Sequence, residues 1–270
     1  MQNNLGLALT ALGDREVSTE HLAEAVTCYR AALQEYTRQR EPEHWASTQL
    51  NLGRALRMLG EREGGTKHFE EAVTSELTAL QEYSREHTPL LWTKAQLSLG
   101  VALMNLGKRE AGTKHLAEAV AAYRAALQEC AREQMPLLWA ATESNLGGAL
   151  TALGERETGT KYLEKAVEAY RCALQEYTLV RTPLRWAEAQ NGLGDALRDL
   201  GERKRDAGLL CEALRSHFNA WQVAGAAPYY ASVAVMGTTR DVMVLRKRFT
   251  PSVFQGCADY AQVLKQIKLD

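Results

Sequence analysis

An all-α solenoid of antiparallel helical hairpins is the fold class this sequence predicts, and three observations predict it. Trp45, Trp92, Trp139 and Trp186 stand 47 residues apart, Pro42, Pro89, Pro136 and Pro183 keep the same step, and so do the Leu-Gly pairs ending at Gly13, Gly60, Gly107, Gly154 and Gly201. A fixed period of about 20–50 residues marks units that bury their apolar faces only against neighbours. Apolar residues inside each unit recur at helical spacing, which makes the units helical. Five registers of one unit fill most of the 270 residues, so one elongated array replaces the one or two compact domains that length alone suggests.

The bulk numbers narrow the class. An apolar fraction of 46% with 24% charged residues describes a well-packed chain and not a disordered one. Lys plus Arg number 32 against 33 Asp plus Glu, so the net charge of −1 gives no global attraction to nucleic acid or to an anionic membrane. Cys28, Cys130, Cys172, Cys211 and Cys257 are scattered singly with no CxxC pair. That usage points to a reducing compartment with no disulfide framework. The first residues lack a basic and then apolar leader, and no apolar run is long enough to cross a membrane, so the expected location is cytoplasmic.

Each unit reads as two helices. By register the chain starts inside a unit: either it continues upstream or the first helix is shortened. The first helix of the second unit runs from about Pro42 to Leu59, with proline in the first turn where its missing N–H costs nothing. Thr88 and Thr182 precede the equivalent prolines as N-caps. Trp45, Leu52, Leu56 and Leu59 share one face, and Gly60 is placed to end the helix in the left-handed conformation. A polar turn follows, and Thr19, Thr66, Thr113 and Thr160 cap the second helix, whose apolar spacing is again helical. Gly6, Gly53, Gly100, Gly147 and Gly194 sit in the middle of first helices, where glycine costs about 1 kcal/mol relative to alanine. Close approach of the partner helix is the expected reason.

With Asn-Leu-Gly-x-Ala-Leu in the first helix and Ala25, Tyr29, Ala32 and their equivalents Ala119, Tyr123, Ala126 and Ala166, Tyr170, Ala173 in the second, residues 1 to about 221 resemble the tetratricopeptide repeat. They are similar in particular to the long-helix variant of kinesin light chains and of bacterial repeat arrays. Two departures stand out: the period is 47 where the common repeat has roughly 34, and Glu76 replaces the tyrosine. The resemblance implies a right-handed superhelix whose first helices line a concave groove. The expected organisation is five repeats over 1–227, the first truncated at 1–41, then 42–88, 89–135, 136–182 and a degenerate 183–227, with capping helices over 228–270. In the last of these, residues from Tyr229 to about Lys247 form a first helix weakened at Gly237-Thr238-Thr239, and Val253, Cys257, Tyr260, Leu264 and Ile267 share one face of a final helix.

Nothing in the spacing predicts catalysis, a cofactor or a metal. His21, His68 and His115 share one repeat position, but stacked equivalents lie roughly 8–10 Å apart, too far to converge on one zinc ion. The Gly-Gly-Thr turns lack the GxxxxGK[ST] run and a preceding strand. The runs Arg203-Lys204-Arg205 and Arg246-Lys247-Arg248 are short and isolated, and read as solvated charge.

The remaining surface is the groove, where residues vary between units while packing positions do not. Its candidate partner-binding residues are Asn4, Asn51, Arg54, Arg57, Lys94, Leu97, Val101, Met104, Asn145 and Asp195. Arg54, Arg57 and Lys94 gather positive charge, Asp195 and its neighbours negative charge, and Leu97, Val101 and Met104 offer apolar contact. The resemblance implies that Asn4, Asn51 and Asn145 bond the backbone of an extended peptide. The expected function is a non-catalytic scaffold for a peptide or protein, with no nucleic acid or membrane partner. An alternative is a sensor array regulating an effector, a caspase-like peptidase or a signalling NTPase, outside this chain. Leu5, Leu9 and Leu12 are expected to leave an uncovered apolar face through which copies self-associate.

Overall fold

The computed structural model describes residues 1–16, 18–221, 223, 228–248 and 257. Among these the chain forms eleven helices and no strand: α1 Gln2–Arg15, α2 Glu20–Glu35, α3 Pro42–Glu63, α4 Lys67–Ala79, α5 Pro89–Arg109, α6 Lys114–Glu129, α7 Pro136–Arg156, α8 Lys161–Ala173, α9 Pro183–Lys204, α10 Ala207–Trp221 and α11 Pro228–Arg248. They fall into two compact units, 1–131 and 132–270. In the first, the hairpins α1/α2, α3/α4 and α5/α6 stack in chain order, with α2 on α3, α4 on α5, and the first helices side by side. In the second, α7/α8 and α9/α10 stack through α8 and α9, and α11 covers α10 and touches α9. The predicted helix over 253–267 lies outside the described residues apart from Cys257.

One contact recurs inside every hairpin. A side chain of the second helix lies against the mid-helix glycine of the first: Tyr29 on Gly6, Glu76 on Gly53, Tyr123 on Gly100, Tyr170 on Gly147 and His217 on Gly194. A Cβ at Gly100 would sit 2.5 Å from Tyr123 Cε1, a separation that real side chains do not adopt. The glycine therefore admits a side chain of the partner helix. Tyr29 and Tyr123 are fully buried as a result. Burial of an aromatic ring of ~150 Å² contributes about 4 kcal/mol, which outweighs the roughly 1 kcal/mol that a helix-interior glycine costs.

The second glycine of each unit behaves differently from expectation. Gly60 does not end its helix: α3 continues to Glu63 and terminates at Gly64, whose φ is 76°. A Cβ at Gly60 would lie 2.9 Å from Phe69 Cε2, so this position too makes room for the second helix. Thr19, Thr66, Thr113 and Thr160 occupy the N-cap positions without a side-chain capping bond. Thr88 and Thr182 also stand at N-caps without such a bond, and tie back to the preceding turn instead: Thr88 Oγ1 accepts from the Ser84 amide at 2.9 Å and Thr182 Oγ1 from the Thr178 amide at 3.1 Å.

Arginine fastens both ends of the seams between hairpins. Arg62 donates to the Ser18 and Gly13 carbonyls at 2.9 and 2.5 Å, and Arg203 to those of Gly159 and Gly154, both at 2.5 Å. Gly13 and Gly154 lie in the last turns of α1 and α7, where each carbonyl also receives a long 3.3 Å bond from the Glu16 or Glu157 amide and the dipole favours a cation. At the opposite edge Arg85 lies 4.4 Å from the Trp92 ring centre and Arg132 lies 5.1 Å from that of Trp139. Arg132 also pairs with Glu176 at 2.7 Å. In the next hairpin Leu179 replaces this arginine, and Val223 packs with Trp186, Ala187 and Ala220.

Two further corrections concern the C-terminal part. α11 is unbroken at 237–239, because Gly237 faces the His217 ring and Thr239 Oγ1 bonds the Val235 carbonyl at 2.8 Å. Cys211 and Cys257 form a disulfide with Cα atoms 5.5 Å apart, and Cys28, Cys130 and Cys172 take no part in it. Cys257 packs in one cluster with Leu210, Leu214, Phe218, Val242 and Leu245, which brings together cysteines that are 46 residues apart.

Replacing Gly100 with alanine is expected to lower the urea midpoint by an amount equivalent to about 1–3 kcal/mol, since overpacking against Tyr123 exceeds the gain in helix propensity. An unchanged or raised midpoint would mean that the ring yields without cost.

Candidate partner-binding site

In residues 1–131 the first helices form a layer fastened by polar side chains. Asn51 Nδ2 and Thr48 Oγ1 donate to Asn3 Oδ1 at 3.2 and 3.4 Å, joining α3 to α1. Asn105 Nδ2 donates to Glu61 Oε1 at 2.9 Å, joining α5 to α3. On the side of α3 opposite Leu52, Leu56 and Leu59, Arg54 is exposed and Arg57 half-buried, with Arg57 Nη1 3.2 Å from Glu61. Along the corresponding side of α5, Lys94 is exposed, and Leu97, Val101 and Met104 are half-buried. Asn4 is exposed on α1. The structure thus brings Arg54, Arg57, Lys94, Leu97, Val101 and Met104 onto adjoining helices.

In residues 132–270 the equivalent positions are occupied differently. Asn145 is half-buried on α7. Asp195 is bound by Arg198 at 2.7 Å, and although burial opposes it, the His217 and Arg198 contacts hold this carboxyl below its usual range. Asn191 and Arg198, on the same helix as Asp195, are 6% and 3% exposed and offer little to a partner. The register of Asn51 and Asn145 includes Ser98, whose Oγ donates to Glu76 Oε1 at 2.6 Å. This register therefore borders the seam with the preceding hairpin.

Glu76 and His217 occupy the position held elsewhere by tyrosine, and each is surrounded by its own polar partners. Burial pushes the Glu76 carboxyl up to about 7, despite the Ser98 bond and the nearby Arg57 charge. His217 Nδ1 lies 2.6 Å from Asp241 Oδ2 and Nε2 lies 3.6 Å from Asp195 Oδ1. Although burial opposes the charge, these carboxylates push the imidazole up to about 9. Both ring nitrogens are committed to carboxylates, which suits a structural imidazolium and leaves neither to activate a nucleophile. His217 follows Tyr170 by 47 residues, and that step is the sequence signal that identifies it.

No group of histidine, cysteine and carboxylate side chains among the described residues could hold a metal ion. His21, His68 and His115 pair with Glu16, Glu63 and Glu110, each five residues earlier, at 2.6, 2.9 and 2.5 Å. They fasten their own turns. No described helix is long and apolar enough to cross a membrane.

Stacked hairpins that repeat one packing position with varied exposed residues define a tandem helical-repeat protein. The tetratricopeptide repeat model matches residues 1–44 and 45–75, two consecutive stretches of the first unit. The chain is similar in fold to the crystal structure of BtubC (BKLC) from P. vanneervenii, with 17% identity, a TM-score of 0.52, and coverage of 95% of this chain and 91% of that one. It also matches a designed circular tandem repeat protein at 15% identity and a TM-score of 0.45, covering 93% of this chain and 65% of that one. No curated protein matches the sequence.

The buried charges predict a pH profile. A raised Glu76 value means stability present below pH 4.5 and lost as pH rises toward about 7. For His217 the corresponding loss runs from pH 6.5 to about 9. Denaturation midpoints of the wild type and Glu76→Gln are expected to diverge between pH 4.5 and 7, with the wild type falling relative to the variant. Parallel profiles would refute the buried ionisation of Glu76.

Proposed function

We propose that this chain is a non-catalytic scaffold that holds a peptide or protein segment on the first-helix face of residues 1–131. The observation that carries this reading is the adjacency of exposed Arg54 and Lys94 to the partly exposed Leu97, Val101 and Met104. Such a surface suits an acidic segment that also carries apolar side chains. Methionine adapts its contact to different side chains, and the cations set orientation and association rate more than affinity. Asn4 lies on the same layer, and Asn51 reaches it through its bond to Asn3. Asn145 and Asp195 are proposed as contacts of the second unit, where Asp195 must exchange its Arg198 pairing to engage a partner.

The test compares proteins captured by the wild type and by Arg54→Glu/Lys94→Glu at equal thermal midpoint. Partners of the proposed face are lost from the variant, and those that remain associate several-fold more slowly with a flatter salt dependence. Equal capture and equal kinetics would place the interaction elsewhere.

A second copy is a further partner we propose, through α1. Leu5 and Leu12 are both 46% exposed, whereas their counterparts Leu52 and Leu59 are 6% and 4% exposed beneath the preceding hairpin; Leu9, expected on the same open face, is instead buried in the core at 7%. Apolar seam positions left open favour a helix of the same kind. Sedimentation is expected to show concentration-dependent dimers that Leu5→Glu/Leu12→Glu abolishes. A strict monomer from micromolar to millimolar concentration would contradict this.

A further inference from the structure

Glu76 is fully buried where three helices meet. Its Cγ lies against Gly53 of α3, so that an added Cβ there would stand 2.8 Å away. Oε1 accepts from Ser98 of α5 at 2.6 Å, and Oε2 has no hydrogen-bond partner. Of the charged groups on α3, α4 and α5, Arg57 is the one that acts on this carboxyl, and the neutral Ser98 hydroxyl is its other polar neighbour. Arg57 faces two ways. Its Nε is buried without a hydrogen-bond partner, while Nη1 reaches Glu61 at 3.2 Å on the first-helix face. One guanidinium therefore has a buried end, whose charge acts on the Glu76 carboxyl, and an outer end on the surface that carries Arg54 and Lys94.

We propose that Glu76 is a proton switch for the partner face: ionised, it draws the Arg57 guanidinium toward the α3/α4/α5 seam, and protonated, it releases that charge to the face. The switch rests on the reading of that face as the partner site, and names its regulation. A protonated carboxyl needs no cation and keeps its Ser98 contact. Burial raises Glu76 enough for both forms to be populated near neutral pH. Acidic partners are then held more firmly as pH falls through neutrality.

The test needs no natural partner. The Glu76 carboxyl carbon and the Arg57 Nε–H are followed by NMR from pH 5 to 9, in the wild type and in Glu76→Gln. The expected result is a shared midpoint near 7 in the wild type and a flat Arg57 signal in the variant. Ser98→Ala, which removes the bond that favours the ionised form, is expected to move the midpoint upward, and serves if Glu76→Gln does not fold. Hexaglutamate is the probe for the face. It is expected to bind up to about fivefold more tightly at pH 6 than at pH 8 through this group, read as the difference between wild type and Glu76→Gln so that contributions common to both proteins cancel. A carboxyl that titrates below pH 5.5, or an Arg57 signal indifferent to it, overturns the switch. Coupled titration with no hexaglutamate binding to any form overturns the partner-face reading and confines the coupling to the seam.

Discussion

A side chain of the second helix pressed into the glycine notch of the first is the contact on which the hairpins depend. It fixes how closely the two helices approach, because a ring against Gly6 or Gly100 leaves no space for even a methyl group. It also carries polar connections outward: the Tyr29 hydroxyl lies 3.1 Å from Thr10 Oγ1, which itself bonds the Gly6 carbonyl at 2.8 Å. A single residue thereby joins the notch to the next turn of the first helix. The arginine bonds to carbonyls and the Trp-stacked arginines work at the two edges of a seam whose centre this residue already sets.

The same position explains why the seams are not interchangeable. Where tyrosine gives way to Glu76, the neighbours become Ser98 and Arg57; where it gives way to His217, they become Asp195, Asp241 and Arg198. A buried ion without such neighbours would be costly, and with them the net contribution to stability is modest. Arg198 and Asp241 are almost fully buried, so the Arg198 charge of α9 is turned inward. The first-helix face of residues 1–131 keeps Arg54 and Lys94 in solvent, and the proposed function rests on this difference.

Much of the fold is legible in the sequence because the repeat supplies its own controls. The prolines at helix starts and the unfavourable glycines at mid-helix both follow from local chemistry, and the structure places them as that chemistry requires. Gly60 misleads because a glycine after a leucine reads equally as a helix stop and as a packing notch, and only the position of Phe69 separates the two. Glu76 is visible as a departure, but its Ser98 partner belongs to the next hairpin and cannot be found within one helix period. The Cys211–Cys257 pairing is hidden for a related reason, since it depends on the return of the chain to α10. The candidate face was readable as residue types on one side of a helix; which of those side chains are tied to neighbours was not.

The central claim is that each seam is held by one second-helix residue together with a matched set of neighbours. Transplanting the set of the first hairpin into the second tests it most directly, through unfolding free energies of Glu76→Tyr, of Arg57→Thr/Ser98→Asn, and of all three substitutions together. Matched neighbours predict strong non-additivity, with the triple variant more stable than the sum of its parts by about 0.5–3 kcal/mol. Additivity within about 0.5 kcal/mol would show that the residues at the notch act independently, and would contradict the account.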